Sequence, residues 1–333
     1  MKKYLALAAV FALSAPIIMP VAAQDAEQKG AQSPGQIVDA APASDWVAIA
    51  AEDLLVMTLA ADTEGNPIQV VIQLMPAPFS QGWIDNIRTL SGAKWWDGTS
   101  INRVQDNYVV QWGDASEKKP LPEGLKVMGE SDYVIEDSTV ADTEANWEAT
   151  HNVGFSEFSF SDSLDPTRLS TGYADEEYVF AGWPFAANEG EAWPTHCYGM
   201  VGVARNYSPD TGTGAELYTV IGHAPRHLDR NIALVGRVIE GMEHLSSLPR
   251  GKGELGFYGE DELDKRVSIV SIRMGNSISE SDAPAFEYLS TESETFARYA
   301  DARANRRDPF FIVPAGGADI CNIPVPIRRV ATD

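Results

Sequence analysis

Two polar side chains, those of Arg103 and Gln111, interrupt apolar, strand-like stretches between Trp95 and Asp114. A strand that packs in a core favours β-branched and aromatic residues, and a charged side chain is rarely buried without a partner. An isolated arginine in such a place is most simply interpreted as half of a surface ion pair. The glutamine is likewise most simply placed on an edge strand. The other interpretation is a functional pair, in which the amide holds the guanidinium in place, and the surrounding residues decide between the two.

The residues around this pair form a recognisable pattern. Trp95-Trp96-Asp97-Gly98 has turn chemistry and leads into the strand of Arg103, and Gly113-Asp114 follows the strand of Gln111. This order resembles the cyclophilins. The resemblance implies a peptidyl-prolyl cis/trans isomerase that needs neither cofactor nor metal.

A second block lies farther along the chain and supports the first. Residues 199–205, 214–220 and 227–242 resemble the second half of the same family in order and spacing. Two blocks in the right order are more specific than one. The resemblance implies a mainly β fold, a closed eight-stranded antiparallel β-barrel capped by two helices, here with a long insertion and a C-terminal extension.

The resemblance also implies a role for each matching position. Arg103 would be the electrostatic catalyst, and Gln111 would position it and contact the substrate backbone. The other positions would bind substrate: Tyr108, Val109, Tyr218 and Leu228, with His227 beside the last, around the proline ring, and Ala204, Arg205 and Glu216 along the peptide groove.

An arginine suits this chemistry for a physical reason. Rotation about an X-Pro bond faces a barrier of roughly 18–20 kcal/mol from amide resonance. A guanidinium that donates to the prolyl nitrogen favours the pyramidal nitrogen of the twisted state over the planar ground state, so its binding energy is differential. Each ~1.4 kcal/mol of that preference gives about tenfold in rate.

Several positions depart from the usual residues of the family. Asn102 replaces a histidine before the arginine, Glu216 replaces a groove glutamine, and Ile232 replaces a later histidine. Tyr218 replaces a phenylalanine at the pocket floor, and its hydroxyl requires a hydrogen-bond partner or contact with water. Because the catalytic pair is retained, we expect a divergent isomerase.

The N-terminus is typical of a secretory signal peptide over residues 1–23. Lys2 and Lys3 precede an apolar run over residues 4–21, and Val21-Ala22-Ala23 provides a small-residue cleavage site before Gln24. A retained membrane anchor is the alternative, although Pro16 and Pro20 within the run argue against it. We expect export to the periplasm of a Gram-negative bacterium.

The charge balance restricts the partners. The chain has a formal net charge of −23, which repels nucleic acid and anionic membranes. After the leader there is no apolar run of ~18 residues, so no membrane span is expected in the mature chain. The expected partners are proline-containing unfolded or loop segments of envelope proteins.

Composition and periodicity divide the mature chain. Residues 24–44, rich in Gln, Ala, Ser, Gly and Pro, predict a flexible linker before a barrel domain over 45–275. Residues 53–59 and 68–74 predict a hairpin around a turn, and residues 80–90 predict an amphipathic helix that plugs the barrel. A second helix is expected at 241–249 and the last barrel strand at 266–274.

Two regions exceed a minimal barrel. The insertion over about 115–195 lacks catalytic spacing; it would either pack on the barrel or tune access to the groove. The extension over 276–333 contains a predicted helix over 291–307 that packs on the barrel. Its last turn carries Arg303, Arg306 and Arg307, which either complement the helix dipole or form a docking patch.

Other combinations of reactive residues are weak. His223 and His227 have the spacing of zinc ligands on a helix, but Pro225 lies between them and there is no evident third ligand, so no metal site is predicted. His196 precedes Cys197, yet neighbours on a strand point to opposite faces, so the two are a poor catalytic pair.

Cys197 and Cys321 are the only cysteines of the chain. An exported protein meets an oxidising compartment, so we predict that they form a disulfide between barrel and tail. Two separately buried thiols are the alternative.

The sequence therefore predicts an exported prolyl isomerase that assists protein folding. The alternative is a non-catalytic proline-peptide binding module or holdase chaperone, in which the altered Asn102, Glu216 and Ile232 reflect lost chemistry. Retention of Arg103 and Gln111 favours the enzyme.

Overall fold

A computed structural model describes residues 30–136, 173–279 and 282–330. Its strands, in chain order, are β1 (Trp46–Ala48), β2 (Leu54–Leu59), β3 (Ile68–Leu74), β4 (Ser100–Val104), β5 (Val109–Gly113), β6 (Ile135–Glu136), β7 (Glu176–Phe180), β8 (Trp183–Asn188), β9 (Glu191–Pro194), β10 (Met200–Val203), β11 (Leu217–Val220), β12 (Leu234–Glu240), β13 (Ile269–Met274), β14 (Phe286–Leu289) and β15 (Ile327–Arg329).

The α-helices of the described residues are α1 (Pro34–Asp39), α2 (Gln81–Gly92), α3 (Met242–Ser246) and α4 (Glu294–Ala304). None of these helices has the length and apolar character needed to span a bilayer.

Eight strands form one antiparallel sheet in the order β13-β2-β3-β12-β10-β11-β5-β4. Its two edges meet through a bridge between Ser100 and Ser268, and the Ile101 N–H donates to the Val267 carbonyl at 2.9 Å. These contacts nearly close the sheet, so few edge groups remain unpaired. The predicted mainly β fold with an eight-stranded antiparallel barrel is confirmed.

The first hairpin follows from its turn chemistry. Strands β2 and β3 pair along their whole length, from Leu54 with Gln73 to Leu59 with Ile68. In the turn, Oδ1 of Asp62 accepts hydrogen bonds from the N–H groups of Glu64 and Asn66, both at 2.9 Å. The predicted hairpin is confirmed.

Helix α2 plugs the barrel, as its periodicity predicts. Its apolar face comprises Trp83, Ile84, Ile87 and Leu90, all with no exposed surface. The Trp83 indole N–H donates to the Thr211 carbonyl at 3.1 Å. This bond ties the plug to the loop that follows β10. The second predicted helix forms the short α3.

The described part of the insertion forms a second sheet, in the order β6-β9-β8-β7, that packs on the barrel. The Phe185 ring stacks on Phe79 with ring centroids 4.4 Å apart. The buried Arg237 of β12 donates to the Gly182 carbonyl at 2.6 Å and to Oε1 of Gln73 at 2.9 and 2.7 Å. These residues of the insertion pack on the barrel, and its residues 137–172 lie outside the described ranges. That the insertion tunes access to the groove stays a prediction.

The C-terminal extension forms a third sheet, in the order β1-β14-β15. Residues 46–48, predicted to belong to the barrel domain, therefore pair instead with the extension. The predicted helix over 291–307 is observed as α4, which begins after the N-cap Ser293 and buries Phe296 and Tyr299. These side chains pack in a cluster with Leu289 of β14 and not in the barrel core, so the prediction that the helix packs on the barrel is corrected.

The prediction of a flexible linker over 24–44 is wrong for residues 34–39, which form α1. Ser33 and Gln36 form a reciprocal capping box, and Pro34 occupies the first turn. Ile37 is 6% exposed and packs in one apolar cluster with Phe296 and Tyr299 of α4. The composition of this segment could not predict the helix, because the helix is stabilised by packing against α4 at the other end of the chain.

The three arginines near the end of α4 make contacts within the chain. Arg303 donates to the Asn322 carbonyl at 2.9 and 2.6 Å, Arg306 pairs with Asp308 at 2.7 Å, and Arg307 pairs with Asp301 at 2.7 Å. The first of these contacts holds the tail against α4.

The predicted disulfide is present in the structure. Cys197 and Cys321 are joined with a Cα–Cα distance of 5.0 Å and a sequence separation of 124. The bond links the connection between β9 and β10 to the tail between α4 and β15.

Candidate active site

Arg103 and Gln111 face each other across neighbouring strands. They are partners in the register of β4 and β5, beside an irregularity of β4 between Ile101 and Arg103. NH1 of Arg103 donates to Oε1 of Gln111 at 3.1 Å, and Nε donates to the Leu255 carbonyl at 2.7 Å. NH2 donates to Oε1 of Gln105 at 2.5 Å. Three acceptors therefore fix the guanidinium plane.

Two aromatic rings flank the same guanidinium. Its carbon lies 5.3 Å from the ring centroid of Phe257 and 5.7 Å from that of Tyr108. Burial lowers the pKa of Arg103, although an arginine remains a cation at neutral pH. The rings shield the charge from water, which strengthens its action on a bound amide.

The predicted proline pocket assembles beside the arginine. Tyr218 and Val109 are buried in one apolar cluster with Val220, and the half-buried Tyr108 and Leu228 pack against it, as do Ala204 and Ile232. The exposed ring of His227 stacks on Tyr108, with centroids 6.3 Å apart and an interplanar angle of 12°. The structure thus brings the predicted pocket residues together.

A cavity of about 810 Å³ contains the pocket and the arginine. Of the predicted site residues all but His227 line it, namely Arg103, Tyr108, Val109, Gln111, Ala204, Arg205, Glu216, Tyr218 and Leu228. The Arg205 guanidinium is held by backbone, donating to the Asn231 carbonyl at 3.0 and 2.9 Å and to the Asn206 carbonyl at 2.7 Å.

Glu216 lies on the groove floor against Gly113. Its Oε1 accepts the Asp114 backbone N–H at 2.6 Å. Gly113 has a φ of +152°, and a Cβ added there would lie 2.0 Å from the Glu216 carboxyl, so the close approach requires glycine. Burial raises the pKa of Glu216 to about 7, against the lowering effect of hydrogen bonds from Asp114, Asn102 and Gln111.

The Tyr218 hydroxyl has the partner that its position in the pocket requires. It lies 2.9 Å from Nε2 of His196, whose Nδ1 lies 2.8 Å from Oδ1 of Asp229. In the sequence, His196 was notable only as the neighbour of Cys197, and no local pattern marked Asp229 as its partner. The one signal in the sequence was the Tyr218 hydroxyl itself, because a hydroxyl in an apolar pocket requires a polar partner.

The loop before β13 was also missed. Leu255 and Phe257 both contact Arg103, and Phe257 forms an isolated bridge with it. This loop lacks the periodicity of a strand or a helix, so no local signal placed it at the site.

The two histidines with zinc-like spacing do not lie on one helix face. Arg226, His227 and Leu228 form a single 3-10 turn after Pro225, and His223 is exposed. Across the described ranges, no group of three or more His, Cys, Asp or Glu side chains is placed to hold a metal ion.

Most of this chain matches a known protein family. The family described as cyclophilin type peptidyl-prolyl cis-trans isomerase/CLD matches residues 57–274, which is more than half of the chain. The chain therefore belongs to the cyclophilin-type family. No curated protein matches the chain.

A solved structure shows the same fold. The cyclophilin AquaCyp293 from Hirschia baltica is similar with a TM-score of 0.59 and 20% identity, over 87% of this chain and 95% of that chain. A Cryptosporidium parvum cyclophilin type peptidyl-prolyl cis-trans isomerase, solved in the presence of the dipeptide Ala-Pro, matches with a TM-score of 0.34 and 12% identity, over 66% of this chain and 98% of that chain.

Proposed function

We propose that this protein is a peptidyl-prolyl cis/trans isomerase. The observation that carries the proposal is the position of the Arg103 guanidinium, anchored by Gln111 beside an apolar pocket lined by Tyr108, Val109 and Leu228. A prolyl ring in this pocket brings its nitrogen to the arginine. No bond is broken in the reaction, so the site needs only a pocket and a fixed donor.

The rate enhancement follows from differential stabilisation. In the planar amide the nitrogen lone pair is delocalised and is a poor acceptor. As the bond twists, the lone pair localises and accepts a stronger hydrogen bond from Arg103. Because three acceptors already fix the guanidinium, little reorganisation is needed at the moment of twisting.

The alternative, a binding module or holdase without catalysis, draws on the residues that differ from the usual family pattern. Glu216 accepts hydrogen bonds from Asp114, Asn102 and Gln111, so Asn102 and Glu216 contact each other on the groove floor. The arginine and its amide partner are in place. We therefore favour the enzyme.

We further propose that the substrates are exported proteins and that the protein acts in the periplasm of a Gram-negative bacterium. The leader-like residues 1–23 and the disulfide between Cys197 and Cys321 support this location, since disulfides persist in oxidising compartments. The substrates would be X-Pro bonds in unfolded or loop segments, and the activity would assist folding of envelope proteins.

A protease-coupled assay with a proline tetrapeptide on residues 24–333 tests the activity. We expect the isomerisation rate to rise in proportion to protein concentration. Peptide binding without any acceleration would support the binding module instead. Expression of the full chain in a Gram-negative host, followed by mass spectrometry of the periplasmic fraction, tests export: the expected product begins at Gln24, and an intact N-terminus in the cytoplasm would contradict it.

A further inference from the structure

Behind the proline pocket, the Tyr218 side chain ends in a buried chain of hydrogen bonds. The hydroxyl of Tyr218 contacts Nε2 of His196 at 2.9 Å, and Nδ1 of His196 contacts Oδ1 of Asp229 at 2.8 Å. His196 has no exposed surface, and Tyr218 and Asp229 are 4% and 8% exposed. The His196 and Tyr218 rings are nearly parallel, with an interplanar angle of 10° and centroids 6.4 Å apart. These three side chains form a polar unit within an otherwise apolar wall.

The far end of this unit is anchored outside the barrel. Oδ1 of Asp229 also accepts the His196 backbone N–H at 2.9 Å, and Oδ2 accepts from Nε of Arg226 at 2.6 Å. NH1 of Arg226 pairs with Glu177 of β7 at 2.7 Å. Cys197, which follows His196, is bonded to Cys321 of the extension. The pocket floor is thus connected to both additions to the barrel.

The surrounding charges decide where the protons lie. Burial raises the pKa of Asp229, but the hydrogen bonds and charges of His196 and Arg226 outweigh it, so the pKa falls below its usual value. Burial lowers the pKa of His196, and the nearby Arg226 and His227 lower it further against the effect of Asp229. A neutral His196 beside a carboxylate carries its proton on Nδ1. Nε2 is then an acceptor, and the Tyr218 O–H donates to it.

This direction keeps the hydroxyl proton out of the pocket. A buried hydroxyl without an acceptor is costly, so loss of His196 would turn or shift the Tyr218 ring until its hydroxyl found another partner. The ring lies against β10, where a Cβ added to Gly202 would come within 2.4 Å of the ring's hydroxyl end. With that side closed, the open direction is the pocket.

We propose that His196 and Asp229 are positioning residues of the proline pocket, which hold the Tyr218 hydroxyl away from the prolyl ring and keep the pocket floor apolar. Neither residue touches the substrate. The proposal rests on the proposed function for the identity of the ligand, a proline-containing peptide. Two residues in loops around the barrel would thus affect substrate affinity through the position of the Tyr218 side chain.

A double-mutant cycle separates positioning from general stability. The variants are His196→Ala, Tyr218→Phe and their combination, with Thr195→Val as the matched control. Thr195 is equally buried, and its hydroxyl contacts the Pro184 carbonyl at 3.3 Å and Sγ of Cys197 at 3.5 Å, away from Tyr218. Peptide affinity is measured by titration calorimetry with an Ala-Pro tetrapeptide, kcat and KM by the isomerase assay, and folding by thermal melts.

We expect His196→Ala to raise the peptide Kd and KM about 5- to 20-fold with little change in kcat, because the pocket binds ground state and transition state alike. In the Tyr218→Phe background the same change should alter Kd less than about twofold, since no hydroxyl remains to be held. Thr195→Val should lower the Tm and leave Kd unchanged. An equal loss of affinity from His196→Ala in both backgrounds, or none in the parent, would overturn the proposal.

The tautomer of His196 provides a test that does not depend on the variants folding. In ¹⁵N spectra of the parent we expect Nδ1 protonated and Nε2 unprotonated, with Tyr218→Phe shifting the Nε2 signal. A proton on Nε2 would overturn the proposal. A parent chain that binds the peptide without catalysis contradicts only the proposed function, and the affinity cycle still decides the positioning role. A parent that binds no proline peptide would overturn both.

Discussion

NH1 of Arg103 donates a hydrogen bond of 3.1 Å to Oε1 of Gln111, its register partner on the neighbouring strand. Strand register places the two side chains on one face, so the backbone itself sets their separation. The Arg103 guanidinium is thereby held by the barrel wall, while the Leu255 carbonyl and Gln105 accept hydrogen bonds from its Nε and NH2 groups. A guanidinium has five N–H donors, so the remaining ones are available to a bound amide.

If this guanidinium stabilises the twisted amide, Arg103→Ala should lower kcat/KM by about 10²–10³-fold, which is ~3–4 kcal/mol of lost transition-state stabilisation. Peptide affinity should change much less. Arg103→Lys keeps the charge but loses the planar fork, so it should restore only part of the rate. The isomerase assay, peptide titration and a thermal melt measure the three effects.

Arg307→Ala is the matched control, because this half-exposed arginine pairs with Asp301 far along the chain from the site. It should leave the rate unchanged. A folded Arg103→Ala variant that catalyses isomerisation at the parent rate would contradict the electrostatic mechanism.

Glu216 should make stability depend on pH. Burial raises its pKa to about 7 in the folded protein, against an ordinary value of 4.5 when unfolded, so the folded state holds the proton more tightly. The stabilising contribution of the protonated Glu216 carboxyl is therefore fully present below about pH 4.5 and is lost as the pH rises through 7. Glu216→Gln should match the parent near pH 4 and exceed it at pH 8 by at most about 3 kcal/mol.

Denaturant melts at both pH values measure this difference. Glu117→Gln removes an exposed carboxyl that lines the same cavity and controls for net charge. If the unfolding free energies of the parent and of Glu216→Gln depended on pH in the same way, Glu216 would not have a raised pKa.

The disulfide should stabilise the chain by closing a long loop. With a sequence separation of 124 between Cys197 and Cys321, the loop-entropy benefit is roughly 4–5 kcal/mol in the ideal case. The double variant Cys197→Ser, Cys321→Ser should lose a large part of that stability, as should the reduced parent. Mass spectrometry after alkylation of the denatured, unreduced protein checks the bond; modification of both thiols would rule it out.

The inserted sheet should contribute to the barrel core and not merely cover it. Phe185 is 2% exposed and stacks on Phe79 at 4.4 Å, so Phe185→Ala should cost about 3–5 kcal/mol of unfolding free energy. Leu121→Ala, at a position of the insertion that is 44% exposed, should cost much less. Equal losses of unfolding free energy in the two variants would mean that the inserted sheet contributes little to the core.

Much of the fold could be predicted because its signals are local. The turn at Asp62 between two apolar runs predicted the first hairpin, and the 3.6-residue spacing of Trp83, Ile87 and Leu90 predicted the plug helix. Arg103 and Gln111 were conspicuous because polar residues in a strand need a reason. These features depend on neighbours in the sequence, so the sequence alone contains them.

Only the tertiary structure decided the features that depend on distant partners. Helix α1 is stable because Ile37 packs with Phe296, and β1 pairs with β14, so neither could be read from the composition of its own segment. The same holds for the chain from Tyr218 through His196 to Asp229, which joins a barrel strand to two loops. The sequence determined that a hydroxyl in the pocket needs a partner; the meeting of three separate segments in space determined which residue that partner is.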